Sequence, residues 1–267
     1  MNIVVTGENG RLGNDLVKRY GCTPFGWMST NESAIRRRIY ELGHPDVIIH
    51  CAAITDVDRC ENDLFDDALM TNWYLARVLR RMYSGRIIYI STDYVFDGEH
   101  GPYSEDAVPN PINHYGYTKM YGEVATVSGG KSDNCIVRTT QLFGSGDDFV
   151  DRIVDGLGNG REEYYSSRLY GSPTFIPDLS TALMELAGMK SVPEVINVAG
   201  NRVISRYDFA KKVANELESN INLIRLNSDV VLGDARRPQF AGLIVEKAKK
   251  LGLTIRDPLL GIEEMYS

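Results

Sequence analysis

Thr6-Gly7-Glu8-Asn9-Gly10-Arg11-Leu12-Gly13 sets three glycines three residues apart, close to the start of a 267-residue chain. Before it, Asn2-Ile3-Val4-Val5-Thr6 is a short, nearly continuous apolar run, the pattern of a parallel strand buried on both faces. After it, Leu12, Leu16, Val17 and Tyr20 recur at helical spacing. A strand, a tight turn and a helix therefore follow one another directly. Gly7 permits the turn, Gly10 lets backbone approach a pyrophosphate, and Gly13 lets the helix pack close to the sheet. The helix N-terminus then presents free N–H groups and partial positive charge to phosphates. A glycine triplet alone is a weak signal. Its place between an opening strand and an amphipathic helix marks it as a dinucleotide loop.

Outward from this loop the same rhythm continues. Val47-Ile48-Ile49-His50-Cys51, Arg86-Ile87-Ile88-Tyr89-Ile90 and Asn134-Cys135-Ile136-Val137-Arg138 are further buried-strand runs. Helical stretches precede them, from Phe65 to Tyr83 before the second and from about Tyr115 to Val127 before the third. Such alternation predicts an α/β protein with a doubly wound parallel sheet of Rossmann type. After Gly144 the pattern changes, with glycines at 144, 146, 156, 158 and 160. Pro177-Asp178 opens an apolar helix, Glu194 to Val198 reads as a strand, and Ser205 with Asp208 resembles a capping box opening a helix from Tyr207 to Glu218. The expected division is a dinucleotide-binding domain over 1–145, completed by segments near 161–167 and 194–198. Residues 146–267 then form mainly a smaller substrate-binding domain over the sheet's carboxyl edge.

Composition narrows the function. A net charge of -7 leaves no broad basic surface for nucleic acid, and the run Arg36-Arg37-Arg38 reads as a solvated helix face. Cys22, Cys51, Cys60 and Cys135 lack CxxC spacing and sit mostly in apolar runs, as reduced, buried thiols do. The four histidines, His44, His50, His100 and His114, form no HxH or HxxxH pair, so no metal site is expected. No apolar run approaches the ~20 residues of a membrane helix. No basic segment or cleavage site precedes the first strand, so the expected location is the cytoplasm.

The chemistry is carried by two further stretches. Tyr115 and Lys119, four residues apart, share one helix face. Thr92 and its neighbours Ser91 and Asp93 lie just past a strand's carboxyl end, where parallel sheets present their reactive groups. A free tyrosine, with a pKa of about 10, exchanges protons poorly near neutrality, and a nearby ammonium is expected to bring it down. Lys119 is placed to do this while bonding a nicotinamide ribose, with Thr92 holding a substrate oxygen and Tyr115 giving its proton to a carbonyl. The order of glycine loop, hydroxyl and Tyr-Lys pair is far more demanding than any one of them. An NAD enzyme usually offers an acid at the end of the second strand; Phe25-Gly26-Trp27-Met28-Ser29 has none, and Glu32 reads as a helix-opening acid. Arg11 can reach a 2′-phosphate, so NADPH is favoured over NADH.

Ser91-Thr92-Asp93-Tyr94-Val95-Phe96-Asp97-Gly98 resembles the signature of the dTDP-4-dehydrorhamnose reductases, a nucleotide-sugar branch of the extended short-chain dehydrogenases. Pro45 to Ala53, Thr55-Asp56-Val57-Asp58, Tyr115-Gly116-Tyr117-Thr118-Lys119, Gly171-Ser172-Pro173-Thr174 and Ala235-Arg236-Arg237-Pro238 match the same pattern. The resemblance implies reduction of the 4-keto group of a nucleotide-linked 6-deoxy sugar, with Thr92, Tyr115 and Lys119 as the catalytic residues. It implies that Gly7, Gly10, Arg11, Leu12, Ala52, Ala53 and Lys119 line the cofactor, and that Thr55, Val57, Asp93, Tyr94 and Arg236 meet the substrate. It leaves a homodimer open. Departures fall on the sugar side: Gln141 stands where the family often has tryptophan, Asp148 where it has asparagine, and Ala241 near an expected serine. Two rival readings remain: a nucleotide-sugar epimerase or dehydratase, and a non-catalytic NADP-binding subunit like the regulatory subunit of methionine adenosyltransferase.

Overall fold

Paired apolar residues facing opposite ways build the centre of the molecule. In the computed structural model, which describes residues 1–26, 31–128, 133–227 and 233–266, β1 (Ile3–Thr6), β2 (Thr23–Pro24), β3 (Val47–His50), β4 (Arg86–Thr92) and β5 (Cys135–Thr139) form one sheet. The strand Val195–Asn197 completes it. Its order is Val195–Asn197, β5, β4, β3, β1, β2, and every pairing is parallel. Val5, Ile49 and Ile88 point to one face with Leu16, Leu183 and Leu186. Val4, Ile48 and Ile87 point to the other with Ile35, Val78 and Leu79. Both faces are covered, which is why these strands read as unbroken apolar runs.

The helices follow in order: α1 (Arg11–Tyr20), α2 (Glu32–Glu41), α3 (Val57–Glu61), α4 (Phe65–Ala68), α5 (Leu75–Met82), α6 (His114–Val127), α7 (Phe149–Gly158), α8 (Ile176–Gly188) and α9 (Arg206–Glu216). Asn31 caps α2, and Glu32 in its first turn pairs with Arg81 at 2.8 Å, so this acid belongs to the helix as its position suggests. The expected helix from Phe65 to Tyr83 is interrupted by a π-helical stretch, Leu69–Tyr74, between α4 and α5. Asn72 within it is fully buried, and its side chain bonds both the N–H and the carbonyl of Ile54 and the Thr118 hydroxyl on α6. The wide turn thus anchors the loop after β3.

Two expectations need correcting. The second strand lies at Thr23–Pro24, earlier than Phe25–Ser29; the Phe25 N–H still donates to Val5 at 2.8 Å, while Trp27, Met28 and Ser29 fall outside the described residues. The segment near 161–167 does not complete the central sheet. Glu163–Tyr165 pairs in parallel with Ile224–Leu226 in a separate two-stranded sheet. Tyr164 is 54% exposed between half-buried and buried neighbours, a one-sided pattern that suits an outer ribbon rather than a strand buried on both faces.

A second core, containing Phe143, Ile153, Phe175, Phe209 and Val213, lies among α7, α9 and the final helix Pro258–Tyr266. α8 opens with Pro177 in its first turn and packs its apolar face on the first core. Among the described residues no helix is long and apolar enough to cross a membrane.

Candidate active site

The strand order reverses between β1 and β3, and the loops after these two strands open the crevice where such sheets bind ligands. Gly7 sits at φ +71° in the turn after β1, and a Cβ there would lie 2.6 Å from the Ala52 nitrogen. A Cβ on Gly13 would lie 2.2 Å from the Gly7 carbonyl oxygen, so helix and turn touch through backbone alone. Gly10 N–H donates to that carbonyl at 2.9 Å and caps α1 without a side chain, leaving the first N–H groups of α1 facing open space. Thr6 and β3 are tied by a 2.6 Å bond between the Thr6 hydroxyl and His50 Nδ1, and the same hydroxyl accepts the Ala52 N–H at 3.2 Å. Burial brings the His50 pKa down to about 3, with Lys119 adding to the fall, so this imidazole is a neutral structural bond.

One cavity of about 470 Å³ runs from this loop across the ends of β3, β4 and β5. Gly7, Gly10, Arg11, Leu12 and Gly13 line one end; Ala53, Thr55 and Val57 follow; Thr92, Asp93, Tyr94, Tyr115 and Lys119 occupy the middle. Ala52 lies behind this wall, against Gly7. Arg11 is exposed and donates to the Leu142 carbonyl at 3.3 Å, bridging to the far wall. Arg236 behaves differently. It is exposed and lines a second cleft with Tyr170 and Phe240, while its carbonyl accepts the Asn113 side chain at the cap of α6. Its side chain is not brought to the catalytic cleft, so the structure does not gather it with the other expected substrate contacts.

Asn113 caps α6 and Gly116 lets the helix press against the Tyr94 carbonyl, where a Cβ would come within 2.2 Å. This seats Tyr115 against the end of β4, its ring 5.7 Å from Tyr94 in a T-shaped contact. Lys119, one turn on, is 2% exposed; its Nζ donates to the Ile90 carbonyl at 2.6 Å and lies 4.1 Å from the centre of the Tyr89 ring. Burial pushes the Tyr115 phenol above its ordinary range, offset only in part by the Thr92 hydroxyl, while Asp93 and Tyr94 push it further up. Burial also brings Lys119 down to about 7, against the pull of Glu123. The expected acidification of Tyr115 by Lys119 is therefore corrected. Burial of the phenol outweighs the lowering expected from Lys119, which is not among the largest influences on it. Asp93 is raised to about 7 by burial despite accepting from Thr140 at 2.6 Å and from Thr92 at 3.1 Å.

Under the trio lies a buried ion pair that the sequence reading did not pick out. Glu123 accepts from Arg138 at 2.9 and 2.8 Å and from Ser91 at 2.6 Å. Gln141, Asp148, Phe149, Arg152 and Arg206 form the far wall. Nothing in the pattern Ser205-Arg206 distinguishes such an arginine from a solvated helix-opening residue. Asp97, Glu99 and His100 bring ligand atoms within 4.8 Å of one another at the second cleft, but Asp97 is already held by Tyr103 and Asn110.

Fold and cleft together define a dinucleotide-binding Rossmann protein with a second lobe closing over the carboxyl edge of its sheet. Residues 1–266 match the RmlD substrate binding domain family, and the chain belongs to it. It is 32% identical to the dTDP-4-dehydrorhamnose reductase of Mycobacterium tuberculosis, over 94% of this chain and 88% of that one. It is 28% identical to methionine adenosyltransferase 2 subunit beta of Bos taurus, over 98% and 86%. The crystal structure of dTDP-4-dehydrorhamnose reductase from Bacillus anthracis in complex with NADP superposes with a TM-score of 0.88 at 29% identity, covering 99% of this chain and 98% of that one.

Proposed function

We propose that this chain reduces the 4-keto group of a nucleotide-linked 6-deoxy-4-keto sugar with NADPH, most specifically dTDP-4-dehydrorhamnose to dTDP-rhamnose. The observation that carries the reading is the joint placement of Thr92, Tyr115 and Lys119 at mid-cleft, between the glycine loop and the second lobe. The loop fits a dinucleotide: Gly7 and Gly13 let the turn, the loop after β3 and α1 close on one another through backbone alone, Gly10 lines the cleft without a side chain, and the start of α1 offers unpaired N–H groups. Gly10, Arg11 and Leu12 would hold its phosphates, Ala53 its middle and Lys119 its nicotinamide ribose. When bound, the nicotinamide supplies the hydride.

The chain's own residues do the rest. The Thr92 hydroxyl positions the ketone oxygen beside the Tyr115 hydroxyl. Tyr115, kept protonated by burial, gives its proton to that oxygen as it gains charge. Lys119 then lies one helical turn from the phenolate, where its ammonium form stabilises it. The Asn72 anchor holds the Thr55–Val57 wall against α6, which fixes the sugar's approach.

The relatives named above carry the same reading, the Mycobacterium tuberculosis enzyme by its activity and the Bacillus anthracis enzyme by its bound NADP. Loss of NADPH absorbance on adding dTDP-4-dehydrorhamnose tests it. Tyr115→Phe is expected to slow turnover by about 10²–10⁴-fold, with NADP binding retained. A variant as fast as the parent refutes the proton-transfer role. Purified protein that retains NAD tightly and consumes none points instead to an epimerase. Absence of turnover with co-purification of a synthetase points to a regulatory subunit.

A further inference from the structure

Beyond the catalytic trio the cleft passes between α7 and the start of α9, where it carries two arginines that no carboxylate among the described residues pairs with directly. Arg206, the first residue of α9, is half-buried with its guanidinium carbon 5.4 Å from the centre of the Phe149 ring. Arg152, exposed on α7, lines the same wall at the rim. Among the described residues no ion pair is made by either one. Nearby carboxylates are engaged elsewhere. Asp148 accepts from the Gly144 and Val150 N–H groups as the cap of α7, and Asp93 accepts from Thr140. Asp147 is exposed on the same wall and pairs with neither arginine.

Burial lowers the Arg206 pKa; Tyr94 and, more weakly, Asp93 oppose the fall, while Arg237 and Arg152 add to it as like charges. A second observation points the same way. Tyr165 is 9% exposed, its hydroxyl meets no group in good hydrogen-bond geometry although the Glu163 carboxylate lies beside it, and its ring meets Phe149 edge-on at 5.3 Å. The same two arginines bear on it electrostatically.

We infer that Arg206, with Arg152 at the rim, is a seat for an oxyanion of the bound substrate, either a phosphate of its nucleotide or a carboxylate on its sugar. A guanidinium taken partly out of water beside like charges costs stability unless an anion meets it, and its planar fork matches phosphate and carboxylate geometry. The choice of a nucleotide-linked sugar rests on the function proposed above; the seat itself rests on the cleft.

Calorimetric titration of the full chain with dTDP, thymidine, UDP-glucose and UDP-glucuronic acid tests it, on the parent, Arg206→Gln, Arg206→Lys and Arg152→Gln. Arg206→Gln is expected to weaken dTDP by about 10- to 100-fold without changing thymidine, if the seat holds phosphate. If it holds a sugar carboxylate, dTDP is unchanged and the preference for UDP-glucuronic acid over UDP-glucose disappears. In either case Arg206→Lys recovers part of the loss, and NADP titration of each variant matches the parent. A parent that binds none of the charged probes, or an Arg206→Gln protein with unchanged affinity for all of them, overturns the inference. Binding through Arg206 in a protein that oxidises no NADPH with any keto-sugar leaves the seat standing and removes the reductase reading.

Discussion

Replacing Gly7 with alanine separates two costs that the glycine loop avoids. At φ +71° an L-residue pays for the left-handed conformation, about 1–2 kcal/mol. The added Cβ also lands 2.6 Å from the Ala52 nitrogen and 2.7 Å from its Cα, both backbone atoms of the loop after β3. That loop cannot yield freely, since Thr6 holds the Ala52 N–H and Asn72 holds Ile54. Forcing the two loops apart adds about 1–3 kcal/mol, the usual range for overpacking. Gly21 supplies the control: its φ is +65°, but nothing lies within 4 Å of a Cβ there. Gly21→Ala is therefore expected to show the conformational cost alone, and Gly7→Ala a total of about 2–5 kcal/mol. For a chain of this length the larger loss lowers Tm by about 5–15 °C, measurable by calorimetry. NADP affinity should fall in Gly7→Ala only, because the displaced Gly7 carbonyl supports both Gly10 and the first turn of α1. Equal Tm shifts for the two variants would refute the close-approach argument.

The buried pair and the buried lysine give further tests. Glu123→Gln leaves Arg138 charged at a site where both side chains are 5% exposed or less. It should cost about 3–5 kcal/mol, read as a fall in the denaturation midpoint; a change near zero would show that the site admits water. Lys119, brought from 10.5 to about 7 by burial, makes stability depend on pH. Between those values the unfolded chain binds a proton that the folded protein has shed, so parent stability rises with pH across that window. Lys119→Met removes this dependence, so the Tm of the variant relative to the parent should decline from pH 6 to pH 10 while turnover is lost at every pH. Parallel Tm curves would exclude the buried titration.

Much of the first lobe was legible because its strands are covered on both faces. Ile48-Ile49 and Ile87-Ile88 must be apolar regardless of which way each points, and that leaves an unmistakable run. Glycines, hydroxyl and Tyr-Lys pair were legible for a related reason: each sits at a fixed place relative to a strand end. In the second lobe the pairings are two or three residues long, as in Tyr170–Gly171 with Ile204–Ser205, too short for any period to show. Arg206 and Tyr165 gain their meaning from Phe149, which is distant in sequence, so neither announces itself. Asn72 did carry a signal, an amide within an otherwise apolar helical run, which on burial demands partners. The upward shift of Tyr115 was hidden because spacing reports proximity to Lys119 but not the loss of water around both.

A chain that enters its second core with α7, returns to the first with α8 and Val195–Asn197, and departs again with α9 sews the two together rather than hanging one from the other. No single cut frees either core: severing after residue 145 would strip the outer strand from β5 and uncover the face under Leu183 and Leu186. The lobes should melt as one unit, and the cleft between them can widen only by the give of several parallel seams. Such a stitched jaw admits a ligand by flexing slightly, and keeps the trio and the far arginines in register through each turnover.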